Sequence, residues 1–256
     1  MDLRTNTLVA RAVLPYTLKP DRYSSHAQIA HWLLAYRASL ARECAVLDVG
    51  CARGFLGHWL AAPDFYLMGV DNNAEYLADL HPNYRQKVLA DIESNRSFAP
   101  DRAPDVLVLA DVLEHCRHPE AVLQNLCRRY VPSGSCVIIS LPNVAHWHVR
   151  WSLLRGRFDY TERGILDRTH LRSFTLHSAA AFCVQSDLIV DEMRVTPTPL
   201  PLVHPLFAEG RALFWLHALN SRLTHSFKTL LGYQFIFFAH YVPQPGQRSE
   251  DTYHDH

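Results

Sequence analysis

Val46-Leu-Asp-Val-Gly-Cys-Ala-Arg-Gly54, VLDVGCARG, is an apolar run that breaks into a glycine turn. A turn of this kind between a parallel strand and the following helix is where α/β proteins hold the phosphate or carboxylate of a ligand. The spacing is Asp48-x-Gly50-x-Ala52-x-Gly54, with small residues at every second position, and so differs from the G-x-G-x-x-G fingerprint of dinucleotide sites. Alanine in the middle is a local anomaly, because its methyl group disfavours positive φ and close backbone approach.

Working outward, strands and helices alternate. A capping box at Ser25-His-Ala-Gln28 and apolar residues at helical spacing predict a helix over residues 25–41. After the first strand come a helix over 55–61, the strand FYLMGVD ending at Asp71, a helix over 75–80 and a strand over 87–92. DVLVLAD reads as a strand buried on both faces. Pro119 opens a helix to about Tyr130, and SGSCVIISLPN supplies a fifth strand. Thr175 caps a helix to Gln185, and LIVDEMRV, an apolar helix over 206–223 and YQFIFFAHYV complete the series. The fold class expected is a doubly wound α/β sheet. The expected organisation is an N-terminal helical lid (1–43), a main domain (44–242) and a frayed tail (243–256).

Composition sets bounds. The 256 residues are 48% hydrophobic, and 25 Lys+Arg balance 25 Asp+Glu, so no overall basic field exists to hold nucleic acid. Six scattered cysteines without a CxxC pair suggest a reducing compartment. With neither a secretory signal pattern nor an apolar run of about 20 residues, a cytoplasmic protein without a membrane span is expected.

The turn, with the acids behind it, resembles class I S-adenosylmethionine (SAM)-dependent methyltransferases, whose first motif is an acidic residue followed by G-x-G-x-G. That family's fold is a Rossmann-like, mostly parallel seven-stranded sheet, here with a helical lid and insertions after strands 5 and 6. In the family, the turn passes beside the amino-acid end of SAM and an acid ending the second strand binds the ribose hydroxyls. Asp71, in GVDNN, matches about 20 residues on, and Asp91 and Ile92 in LADI match the adenine position after the third strand. The resemblance spans residues 45–195 and places Asp48, Gly50, Cys51, Ala52, Gly54, Asp71, Asn72, Asp91, Ile92 and Asp111 at the cofactor.

Asp111-Val-Leu-Glu114-His115 follows the fourth strand. It is similar to the E-x-x-E-H of ubiquinone-pathway O-methyltransferases and small-RNA terminal 2′-O-methyltransferases, where that motif helps bind a divalent metal. By that resemblance a metal would be held by Asp111, Glu114, His115 and His170. Asp111 is one methylene shorter than glutamate, and no metal is favoured. The segment LLRGRFDYTERGILDRTHLRSFT resembles a signature of bacterial methyltransferases encoded near sugar, lipid or natural-product pathways. It sits where the fold inserts a substrate cover.

These resemblances imply methyl transfer, at oxygen for preference, to a small or medium-sized acceptor. His170 is the expected base, since imidazole titrates near neutrality, with Glu114 and His115 shaping the site. Tyr16, Tyr23, His26, Asn143, Tyr160, Asp167 and Arg168 are candidate acceptor contacts. The competing readings are a metal-dependent RNA 2′-O-methyltransferase and a SAM-binding regulator without catalysis. Leu206–Leu219 is apolar enough for core, homodimer face or lipid-facing patch.

Overall fold

The computed structural model describes residues 21–94 and 97–243. Its centre is a seven-stranded sheet of β1 (Cys44–Val49), β2 (Phe65–Asp71), β3 (Tyr84–Leu89), β4 (Val106–Ala110), β5 (Cys136–Pro142), β6 (Leu188–Thr196) and β7 (Gln234–Tyr241). The order is β3-β2-β1-β4-β5-β7-β6, with β7 antiparallel to both neighbours and the other pairings parallel. Successive strands are added outward from β1 on one side up to β3 and on the other side from β4, so the winding of the sheet reverses between the parallel neighbours β1 and β4. Parallel sheets of this type collect ligands beyond such a switch point, at the carboxyl ends of the strands.

Each residue of β1 and of β4 is buried, as their unbroken apolar runs require in a sheet covered on both sides. Alternate side chains feed two cores: Leu47, Val49, Leu107 and Leu109 on one face, Val46, Val106 and Val108 on the other. The first core is closed by α3 (Pro119–Tyr130) and α5 (Leu176–Gln185) through Leu123, Leu126 and Phe182. The second is closed by α1 (Ser25–Leu40), whose Ile29 and Leu33 are buried and whose Trp32 stacks on Phe238 of β7.

Helix boundaries follow their caps. Ser24, one residue before the expected box, caps α1 by accepting from the Ala27 N–H at 3.3 Å. Thr175 and Ser178 form a reciprocal box at α5, and Pro119 opens α3. In place of the helix expected over 55–61 stands a 3₁₀ turn, Phe55–His58; Pro63 shortly beyond restricts its predecessor to extended backbone. Asn73 caps the short α2 (Ala74–Ala78), and β3 starts at Tyr84, three residues earlier than expected.

Two segments differ more. An eight-residue helix, α4 (Trp147–Leu154), stands between the fifth strand and Thr175, where the sequence predicted no element. The helix expected over 206–223 is replaced by a 3₁₀ turn at Pro205–Phe207 and α7 (Phe214–Ser226), with Gly210 at φ +74° between them; a short α6 (Leu200–Val203) precedes them and α8 (Lys228–Leu231) leads to β7. Among the described residues no helix is long and apolar enough to cross a membrane. Tyr16, with the rest of residues 1–20 of the expected lid, and residues 244–256 of the tail lie outside the described residues.

Candidate cofactor and acceptor site

A cavity of about 510 Å³ opens at the carboxyl ends of β1 to β4, within the range of small-molecule sites. Gly50, Ala52, Asp71, Asn72, Asp91, Ile92 and Asp111 line it. Gly50 needs to be glycine on two counts: its φ is +71°, and a Cβ there would stand 2.4 Å from Val112 Cγ2. Ala52 also adopts positive φ, +48°, so the chain keeps a glycine-like turn at an alanine. The Ala52 N–H donates to Asp71 Oδ2 at 2.8 Å and the Asn73 N–H to Oδ1 at 2.8 Å. Two backbone donors thereby fix the Asp71 carboxylate on the wall, and each oxygen keeps a second lone pair for a ligand.

Asp48, Cys51 and Gly54 lie behind the turn, off the cavity lining. Asp48 is buried and accepts a short hydrogen bond from the Tyr84 hydroxyl; burial pushes its carboxyl up to about 7, against the opposing effect of that bond. A Cβ at Gly54 or Gly69 would strike the Tyr84 ring at 2.6 and 2.9 Å. Tyr84 therefore fills the space beneath the turn, a role with no motif to announce it. Phe55, Tyr76, Glu93, Val112, Cys116 and Thr169 also line the cavity without having been singled out. Tyr76 and Phe55 each follow a strand of the site within a few residues, and that placement was their available signal.

At the other end, Asp111 takes φ +59° and accepts from Ser140 Oγ at 2.6 Å and from Gln234 Nε2 at 2.7 Å. Glu114 is buried, its Oε2 has no hydrogen-bond partner, and burial, then the charge of Asp111, raises its carboxyl well above the ordinary range. His170 Nε2 lies 4.0 Å from Glu114 Oε1, and its Nδ1 faces the Ile165 carbonyl at 3.1 Å. A neutral His170 then carries its proton on Nδ1. Burial and the neighbouring His115 lower its pKa. His115, with its ring 4.8 Å from that of His170, faces the Thr169 carbonyl through Nδ1 at 3.2 Å and lines the cavity.

Ligand atoms of Glu114, His115 and His170 lie within 4.8 Å of one another. Two imidazoles and a carboxylate are a donor set able to take a divalent transition metal. Asp111 stands outside this group, its two oxygens engaged by Ser140 and Gln234.

Among the candidate acceptor contacts, His26 is on the cavity lining, its ring edge-on to Phe55 at 5.6 Å. The others among the described residues are drawn off by partners of their own. Asn143 is fully buried and ties the carbonyls of Thr229 and Gly232. Asp167 caps the Thr169 N–H and hydroxyl, Arg168 pairs with Glu162 and Tyr160 packs edge-on to Phe158. Tyr23 stacks on Phe214 of α7. His170 itself sits behind His115 rather than on the lining. His146 and His148 are the cap and second residue of α4; His146 is turned to Thr198 Oγ1 at 3.1 Å.

Sheet order and site define a protein with the class I SAM-dependent methyltransferase fold. Magnesium protoporphyrin IX methyltransferase from Synechocystis PCC 6803, solved with S-adenosylhomocysteine (SAH) bound, is similar with a TM-score of 0.57 at 14% identity, covering 86% of this chain and 84% of that one. The cyclase SpnF is similar with a TM-score of 0.52 at 14% identity, covering 84% of this chain and 81% of that one. The ubiquinone biosynthesis O-methyltransferase of Nitrosomonas europaea is 33% identical over 110 residues, 40% of this chain and 45% of that protein. The chain spans about two fifths of the length of the curated relatives it matches. It belongs to the MetW family, described as methionine biosynthesis protein MetW, whose profile matches residues 34–196.

Proposed function

We propose that the chain binds SAM in the cavity and transfers its methyl group to an oxygen of a small or medium-sized acceptor. The observation that carries this reading is the Asp71 carboxylate, locked by the Ala52 and Asn73 amides and facing the cavity with lone pairs to spare. Such a carboxylate suits a vicinal diol, which is the chemistry of a ribose. Ile92 and the Asp91 loop would take the adenine, and the Gly50–Ala52 backbone the amino-acid end. Bound SAM supplies a methyl group on a cationic sulfur, so the protein's part is to align the acceptor, exclude water and receive a proton.

His115 is better placed than His170 for the last task. Its Nδ1 is turned to the Thr169 carbonyl, which leaves Nε2 as the basic nitrogen of the neutral ring, and it borders the cavity. His170 packs against it and sets its orientation. Oxygen as the methylated atom draws support from the relatives named ubiquinone biosynthesis O-methyltransferases. Calorimetric titration is expected to give SAH binding and no NAD binding. NAD binding without SAH binding would refute the cofactor assignment. Product release from labelled SAM over an acceptor panel tests transfer, because a cyclase shares this fold and the fold alone does not choose the reaction.

A second reading follows from the unpartnered Glu114 oxygen beside the two imidazoles: a divalent cation that activates the acceptor hydroxyl. Activity surviving exhaustive chelation removes it; loss restored by added metal, together with metal binding measured on the isolated protein, favours it.

A further inference from the structure

α7 is built inside out. Its buried residues are His217, Ser221 and Thr224, at spacing i, i+4, i+7, while Trp215, Leu219 and Leu223 on the opposite side are exposed, Trp215 by 60%. The inward polar face is partnered in part, with His217 Nδ1 left without a hydrogen bond. His217 Nε2 meets Asp21 Oδ2 at 3.0 Å, and Thr224 Oγ1 donates to the Asn220 carbonyl. The outward face continues into the exposed Phe227 and Leu230.

A second unpartnered surface lies beside it. α4 buries Val149 alone and exposes Trp147, Trp151 and Leu154, again at i, i+4, i+7, with Leu154 79% accessible. Both helices are fastened to one residue of the loop after β6: His146 Nε2 reaches Thr198 Oγ1 at 3.1 Å, and Asn220 Nδ2 donates to the Thr198 carbonyl at 3.0 Å. Leu202 and Val203 of α6, a few residues along that loop, are exposed as well. Three of the chain's five tryptophans are thus exposed on this cap. Surface patches of this kind mark interaction sites.

Charge indicates the partner. Exposed Arg150, Arg155 and Arg157 accompany α4, and exposed Arg211, Arg222 and Lys228 accompany α7 and α8. Across residues 144–158 and 197–232 the acidic residue is Glu209, already paired with Arg22, in a chain whose formal net charge is zero. Arg155 lies over the Trp151 ring at 4.3 Å, and Arg222 shares a helix face with Trp215 and Leu219. A second copy would bring cations against cations. Tryptophan flanked by arginine, with leucine and phenylalanine between, is instead the composition of helices lying in the plane of a lipid headgroup layer.

We propose that the cap formed by α4, α6 and α7 docks on an anionic lipid surface, with Trp147, Trp151, Trp215 and Leu219 entering the headgroup boundary and the arginines meeting lipid phosphates. Cosedimentation of the full chain with phosphatidylcholine vesicles, with and without phosphatidylglycerol, tests this. Binding is expected with phosphatidylglycerol, weakened several-fold when salt rises from about 0.1 to about 0.5 M, with tryptophan emission quenched by brominated acyl chains. The paired substitution Trp151→Glu and Trp215→Glu is expected to reduce vesicle affinity at least tenfold while leaving SAH affinity and melting temperature near wild type. Equal binding by wild type and variant overturns the proposal, and so does absence of binding to anionic vesicles. A concentration-dependent dimer that the same pair abolishes, without lipid binding, would assign the face to a second copy and overturn it too.

Discussion

Ala52 holds a backbone conformation that costs a residue with a side chain roughly 1–2 kcal/mol, and it does so where the resembling motif has glycine. Replacing it by glycine relieves that strain but frees the unfolded chain, so Ala52→Gly is expected to change stability by less than about 1 kcal/mol. A thermal melt checks this, and SAH affinity is expected to change modestly, since the amide that holds Asp71 remains. Gly50→Ala behaves differently, because its Cβ would overlap Val112 Cγ2. SAH binding is expected to be lost and partly regained on adding Val112→Ala; no regain would mean the collision is not the cause. Asp48 titrates at about 7 in the fold against 3.8 as a free group, chiefly through burial. A raised carboxyl pKa contributes stability at acidic pH that disappears as pH climbs from about 4 through 7. Asp48→Asn should therefore flatten the melting temperature over that window and gain most, relative to wild type, near pH 8.

Elements were legible in the sequence where one signal dominated. β1, β4 and β5 announce themselves as apolar runs too short for helices, and α3 and α5 carry a proline or threonine at the first turn. The acids at the strand ends placed Asp71, Asp91 and Asp111 at the cavity for the same reason: strand direction fixes where a strand's last residue lies. α4 was missed because Trp, His and Arg dominate it and a single residue is buried, leaving no periodicity to read. α7 was misplaced because its outward face is the apolar one. Contacts such as Asn143 with the Thr229 and Gly232 carbonyls join residues more than eighty positions apart and have no local signature. His146, which caps α4, has its pKa lowered to about 4, mainly by burial and then by His148. The unfolded chain takes up that proton first, so the contribution to stability is full above about pH 6.5 and lost as pH falls toward 4. The wild-type melting temperature should fall more steeply across that interval than that of His146→Gln.

For the whole molecule, the cavity is framed by the segments that follow four strands, so a ligand bound in it would touch all four. SAH at about 100 times its dissociation constant is expected to stabilise the chain by about 2.7 kcal/mol, read as a shift of several degrees in a melt; the same concentration of NAD should give none. The six cysteines give a way to see where that tightening occurs. Cys44, Cys51, Cys116, Cys127 and Cys183 are buried, with Cys136 half-buried; burial pushes the Cys127 and Cys183 thiols to about 12 and that of Cys51 higher still. None of those three reacts as a thiolate until the chain around it opens. Cys127 of α3 and Cys183 of α5 belong to the first core, whereas Cys51 belongs to the cofactor turn and to the second core. Alkylation timed residue by residue would then serve as two clocks in one molecule, one running on opening of the turn and the other on opening of the domain, with a bound ligand stopping the first.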